Sequence, residues 1–244
     1  MQQAPSGTDH HGTARHRWRC IGIGGLELTG FAAVIFDMDG VLVDGEPLHF
    51  RAVNSLLGEE GLSVSLERYK PYMGTKTGWS DMMRDHDLSR SRAYYSARYR
   101  EIVLDIYKRD SVAMPGAVEL VRSLREAGVA TAVASSSIEP WVLACFETIG
   151  LADAFDSITT GSDVSEGKPD PEVYLSAAKR LGARPESCLA FEDAPAGIES
   201  AHRAGMICWA VRTDYTKELE LPHPEREFDS LTEVTVAEIA GVLI

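Results

Sequence analysis

The run Phe31-Ala32-Ala33-Val34-Ile35-Phe36 leads straight into Asp37-Met38-Asp39-Gly40-Val41-Leu42-Val43-Asp44. An unbroken apolar segment this short reads as a strand buried on both faces, and the Asp39-Gly40 pair behind it reads as a turn. Two carboxylates therefore stand at the carboxyl end of a strand that has no solvent face.

Working outward, the chain after Pro115-Gly116 alternates regularly. A helix over 117–127 stops at Gly128, and Val129 to Ala134 forms the next strand. A helix carrying Pro140 in its first turn runs to about Gly150. Further strands are predicted at 155–159, 187–191 and 207–211, with helices at 171–181 and 194–204 between them. Strands alternating with helices of this length specify an α/β fold, a doubly wound, Rossmann-like parallel sheet covered on both faces. Residues 46–114 break the alternation. Leu48, Ala52, Val53 and Leu56 form one helical stripe, and Tyr95, Tyr99, Ile102, Val103, Ile106 and Tyr107 form another. The expected organisation is thus a flexible leader over 1–30, a core from 31–45 and 115–244, and a helical insert over 46–114.

Charge is unevenly spread. The 244 residues carry 37 acidic and 24 basic side chains, net −13. The insert is nearly neutral, with 11 basic and 10 acidic groups, whereas 115–244 has 10 and 22. Such a balance argues against a nucleic-acid partner, which would demand clustered Lys and Arg. No apolar run approaches the roughly 20 residues of a membrane span. The cysteines at 20, 145, 188 and 208 have no C-x-x-C spacing and read as reduced thiols of a cytoplasmic protein. The leader has arginines at 15, 17 and 19 but no apolar stretch behind them, so no secretory signal is expected. His10, His11 and His16 read as part of that tail rather than as a metal site.

Ligands of an open α/β sheet sit beyond the carboxyl ends of its strands. At those ends this chain offers Asp37 and Asp39, then Ser135-Ser136-Ser137, then Lys168 in Gly167-Lys168-Pro169-Asp170-Pro171, then Glu192-Asp193. Converging carboxylates repel unless a hard cation joins them, and Mg²⁺ is the usual one where phosphate shares the site. A hydroxyl and an ammonium suit phosphoryl oxygens, and a central carboxylate can attack phosphorus. A second carboxylate can pass protons to and from the leaving oxygen and water. Singly, each residue has a plainer reading: a turn, a helix cap, a surface lysine, an acidic helix start. Ser136 or Ser137 is also placed to cap the helix that follows. The ordered set of four carries the argument.

Asp37-x-Asp39-Gly40, Ser135, Lys168-Pro169 and Glu192-Asp193 in this order resemble the four motifs of the haloacid dehalogenase superfamily, over about seven-eighths of the chain. Asp44-Gly45-Glu46-Pro47-Leu48-His49 and Met114-Pro115-Gly116 are most similar to its sugar-phosphate phosphatases and β-phosphoglucomutases. The resemblance implies that 46–114 is a helical cap hinged at 41–47. It implies Asp37 as nucleophile, Asp39 as general acid and base, and Ser135 and Lys168 on the phosphoryl group. It further implies Mg²⁺ held by Asp37, the Asp39 carbonyl, Glu192 and Asp193. Asp39 sets such a protein apart from the dehalogenases. His49, Lys76, Ser136 and Ser137 are assigned to the substrate, and the tyrosines of 94–107 to the cap core.

The expected function is Mg²⁺-dependent hydrolysis of a small phosphorylated metabolite, a sugar phosphate, through an aspartyl phosphate, by a monomer or weak dimer. The mutase is the alternative. Hydrophobic Val103 near the place where the mutase has a cap lysine tilts the balance toward hydrolysis. A phosphoacceptor signalling module lacks a 69-residue helical insert. A catalytically silent relative would have lost one of the four motifs, and none is missing.

Overall fold

The computed structural model describes residues 33–70, 82, 84–86 and 88–242. Its sheet has six parallel strands in the order β3-β2-β1-β4-β5-β6. They are β1 Ala33–Phe36, β2 Ala130–Ala134, β3 Ser157–Thr159, β4 Cys188–Glu192, β5 Ile207–Val211 and β6 Arg226–Phe228. The chain winds from β1 through β2 to β3, then crosses to the other side of β1 and continues outward through β4. The crevice of such a sheet opens where the winding reverses, between β1 and its neighbour β4.

Period-two alternation splits the core in two. Val34 and Phe36 face a layer rich in large side chains, with Phe146, Phe191, Trp209 and Phe228 among its members. Ala33 and Ile35 face the opposite layer, where Ala130, Ala132, Ala134, Cys188, Ala190, Cys208 and Ala210 leave a nearly flat surface. The second face lets the Glu172–Leu181 helix approach closely and bury Val173, Tyr174, Ala177 and Ala178. On the first face lie the Ala117–Glu126 and Glu139–Ile149 helices.

Helices Glu46–Gly58, Leu66–Tyr69 and Arg92–Asp110 lie between β1 and Pro115 in the chain. The expected stripes are buried, Leu48, Ala52, Val53 and Leu56 on the first and Tyr95, Ile102, Val103, Ile106 and Tyr107 on the third, except that Tyr99 is only half-buried; Tyr94, expected in the core, is exposed. The two connections to the sheet run side by side. The Asp44 amide donates to Val112 O at 3.1 Å and the Met114 amide to Leu42 O at 3.0 Å. Trp141 Nε1 donates to Arg100 O at 3.0 Å, and the Thr148 hydroxyl lies 3.1 Å from Tyr107 O, so the long helix is tied to the Glu139–Ile149 helix.

Two local expectations need correction. Neither Ser136 nor Ser137 caps the Glu139–Ile149 helix: Ile138 occupies the N-cap, and the Glu139 amide donates to Ser162 Oγ at 3.2 Å. The sequence reading also stopped at β5, whereas β6 and the Val236–Val242 helix follow it. Cys145, Cys188 and Cys208 are buried free thiols, as expected. No helix among the described residues is long and apolar enough to cross a membrane. The leader and its histidines lie outside the described residues.

Candidate active site

Backbone pairing brings the first and last motifs together. Phe36 stands opposite Phe191, and the Asp37 amide continues the ladder by donating to Phe191 O at 2.9 Å. Asp37 and Glu192 are therefore neighbours by register. On the other side Phe36 pairs with Val133, which puts Ser135 just beyond the same edge. Lys168 comes from the loop after β3, which is pinned where Glu172 Oε2 accepts the amides of Ser165 (2.9 Å) and Glu166 (2.8 Å).

Lys168 Nζ reaches Asp37 Oδ1 at 2.5 Å and Glu192 Oε1 at 2.6 Å, with all three side chains at or below 10% exposure. Oxygens of Asp37, Glu192 and Asp193 converge to within 4.8 Å of one another. Three buried carboxylates crowd one ammonium, and burial together with their mutual repulsion shifts their protonation. Burial, opposed by Lys168 and reinforced by Glu192, raises the Asp37 carboxyl to about 7. Burial, then the neighbouring Glu192 and Asp37, hold Asp193 well above the carboxylate range. Burial disfavours the Lys168 charge, but Asp37 and Glu192 outweigh it and keep the ammonium above its ordinary value. The site is short of positive charge, and an all-oxygen donor set of this kind fits a hard divalent cation.

Two glycines make this density possible. Gly40 has φ +84°, and a Cβ there would lie 2.1 Å from Asp193 Oδ2. A Cβ on Gly197 would lie 1.9 Å from Glu192 Oε1. The Asp39-Gly40 turn is thus glycine for conformation and for close approach at once.

Asp39 points away from this cluster, toward the helical segment. Its Oδ1 accepts from the Tyr107 hydroxyl at 2.8 Å and its Oδ2 from Ser137 Oγ at 3.0 Å. Ser135 is buried, and its Oγ accepts the Ser137 amide at 3.0 Å; Ser136 is exposed. The two ring nitrogens of His49 are taken by Tyr99 and Tyr107, at 2.8 and 3.0 Å. Burial lowers the pKa of His49 against the pull of Asp39, which favours the neutral ring. Asp37, Asp39, Ser135, Ser137, Lys168, Glu192 and Asp193 thus meet at one edge, and His49 joins them through Tyr107. Lys76 lies outside the described residues.

Four residues escaped the sequence reading. The helical stripe marks Tyr107 only as core, and Tyr174 is a buried ring whose hydroxyl donates to Glu192 Oε1 at 2.7 Å. Lys168 Nζ sits 5.1 Å from the centre of that ring. Trp141 packs edge-on to His49, with centroids 5.8 Å apart. Glu46 presents a buried Oε2 that has no hydrogen-bond partner among the described residues. Burial, with Asp39 and Asp44 nearby, raises its carboxyl to about 7. A tyrosine at a core-facing helix position carries no sequence mark that its hydroxyl serves a carboxylate.

Comparison with known proteins identifies the family. The family model of haloacid dehalogenase-like hydrolases matches residues 31–205. The phosphorylated carbohydrates phosphatase of Thermotoga maritima is 32% identical over 176 residues, 71% of this chain and 82% of its own length. The fructose-1-phosphate phosphatase YqaB of Escherichia coli is 33% identical over 187 residues, 75% of this chain and 97% of its own. The crystal structure of CbbY from Rhodobacter sphaeroides in complex with phosphate superposes with a TM-score of 0.75 at 28% identity, covering 83% of this chain and 96% of that one. All four motif segments fall inside the matched stretch, and the chain belongs to the haloacid dehalogenase-like hydrolases.

Proposed function

We propose that this hydrolase is a Mg²⁺-dependent phosphatase acting on a small phosphorylated metabolite, a sugar phosphate, through an aspartyl phosphate on Asp37. The observation that carries the reading is the meeting of Asp37, Lys168, Glu192 and Asp193 in one buried, cation-deficient cluster, with Asp39 two residues beyond the nucleophile.

In the first half-reaction an Asp37 oxygen bonds to phosphorus while the bond from phosphorus to the leaving oxygen breaks. Asp39 gives its proton to that oxygen. In the second half-reaction water attacks phosphorus, Asp39 takes the water proton, and the Asp37–phosphorus bond breaks to release phosphate. Lys168 orients Asp37, and the buried Ser135 stands where phosphoryl oxygens gather. Asp37 and Asp193 would hold Mg²⁺, together with the Asp39 carbonyl that the family resemblance adds. When bound, the ion supplies the positive charge that three carboxylates and a phosphate require. Both Glu192 oxygens are already engaged, Oε1 by Lys168 and Tyr174, Oε2 by the Asp193 amide at 3.1 Å. Its first task is to hold Lys168.

Residues 46–114 serve in this reading as a cap that shields the reaction from bulk water and selects the substrate. The two relatives named for sugar-phosphate substrates support that class. A panel of phosphorylated metabolites, assayed with and without EDTA, tests the proposal. Mg²⁺-dependent release of phosphate from one of them is expected. Turnover that ignores EDTA, or none with any ester, overturns it. Glucose 6-phosphate formed from β-glucose 1-phosphate with a bisphosphate primer would mark a mutase instead.

A further inference from the structure

The hydrogen bonds around Asp39 have a direction. A carboxylate only accepts, so the Tyr107 proton is committed to Oδ1. The Tyr107 oxygen then accepts from His49 Nε2, which makes the neutral ring the Nε2–H tautomer. Nδ1 is left as an acceptor, and the Tyr99 hydroxyl donates to it. Three donors run one way, Tyr99 to His49 to Tyr107 to Asp39, and each polarises the next. The hydrogen bond from Trp141 to Arg100 O and the proximity of the Thr148 hydroxyl to Tyr107 O fix the helix that presents two of them.

A second, independent feature sits at Gly45. Its φ of −80° and ψ of −32° are open to any residue, so backbone freedom does not call for glycine there. Space does. A Cβ on Gly45 would lie 1.9 Å from Asp39 Oδ1 and 2.9 Å from its carboxyl carbon. The missing methyl leaves the volume that the Asp39 carboxylate fills in reaching Tyr107.

We infer that Tyr107 is a positioning residue for Asp39, with Gly45 providing the room: Oδ1 is reserved for the helical segment, and Oδ2, beside Ser137, exchanges the proton with the leaving group. As the bond from phosphorus to the leaving oxygen breaks, the proton on Oδ2 passes to that oxygen. Beside the lone pair that accepts from Ser137, Oδ2 then has a second one to take the next proton from water. This assignment rests on the phosphatase reading above.

Aryl and alkyl esters separate positioning from general damage. p-Nitrophenolate leaves without a proton, whereas a sugar or glycerol oxygen needs one. In Tyr107→Phe, kcat/KM for glycerol phosphate or a hexose phosphate is expected to fall about tenfold or more, with p-nitrophenyl phosphate within about twofold of wild type. Gly45→Ala should reproduce that pattern and keeps the test alive if Tyr107→Phe does not fold. Equal losses on both esters, or no loss on either, overturn the assignment while leaving the phosphatase intact. Wild-type protein inert to every ester would sink the phosphatase reading, and this assignment with it. The ¹⁵N spectrum of the imidazole then decides the hydrogen-bond chain: an Nε2–H neutral ring is expected for His49, and an Nδ1–H ring refutes it.

Discussion

The two halves of this site are built from opposite materials. Beneath the carboxyl ends of β1 and β4, Asp37, Glu192 and Asp193 crowd one lysine in a buried pocket of full charges. Across from them, Tyr99, His49, Tyr107 and Trp141 form a neutral aromatic shelf that touches the same loop through the Tyr107 hydroxyl. The charged half is electrostatically incomplete, and the aromatic half is satisfied. An incomplete cluster can gain a cation and an anionic substrate together, each offsetting the repulsion the other leaves. A satisfied shelf costs little to keep and serves to hold a direction.

The contrast is sharpest at Asp37. Asp37→Asn should lower kcat by at least about a thousandfold while the protein still folds, because the amide keeps the shape but lacks the nucleophilic oxygen anion. Circular dichroism and phosphate release on one sample check both halves of that statement. Turnover near wild type would mean that the charged half is structural.

Lys168→Met tests whether one ammonium neutralises the pocket. Without it, the buried carboxylates of Asp37 and Glu192 lose their cation, and stability in chelator should drop by about 3–5 kcal/mol by urea unfolding. Added Mg²⁺ should restore part of the loss. A variant as stable as the parent would show that solvent screens the cluster.

Glu46 stands at the border between the halves. Its folded carboxyl keeps the proton up to about 7, well above an unfolded glutamate. Between those values the folded state binds more protons, so this group lowers stability as pH rises through the window and adds no slope above it. Glu46→Gln should flatten that slope. At pH 8 it should stabilise the metal-free protein by on the order of 1 kcal/mol, a figure kept small because the side chain is only partly withdrawn from solvent. Denaturant midpoints from pH 4 to 8 measure it.

Tyr174→Phe is the mildest change. It removes one hydroxyl from Glu192 Oε1 and leaves Lys168 in place, at a cost of about 1 kcal/mol in stability. A loss several times larger would move Tyr174 from support into the charged cluster itself.

Much of this was legible in the chain. The strand at 207–211 was predicted to the residue, and the Glu172–Leu181 helix and β4 to within one at each end, because buried strands and capped helices leave period and punctuation behind them. The four motifs were readable because each stands at a strand end or turn. β6 was not, since Arg226-Glu227-Phe228 has three residues, two of them charged and exposed, and no alternation to detect. The aromatic shelf was hidden for another reason. Tyr107 obeys the helical stripe perfectly, so its burial was expected and its hydroxyl overlooked. Tyr174 and Trp141 lie on helices whose position is set only when the sheet forms. Glu46 looked like an ordinary acidic residue in a first turn, and only the packing around it withholds a partner.

The paired straps at Leu42–Asp44 and Val112–Met114 carry a consequence for engineering. Because the departing and returning chains are clasped to each other, the chain enters and leaves the helical segment at one place, and inserting it there asks little of the sheet's own closure entropy, while the Trp141 and Thr148 contacts add a second attachment. Such a junction is a natural grafting point, where a segment of another length could be inserted while the strands below keep their register, provided that its helices still meet the Glu139–Ile149 helix.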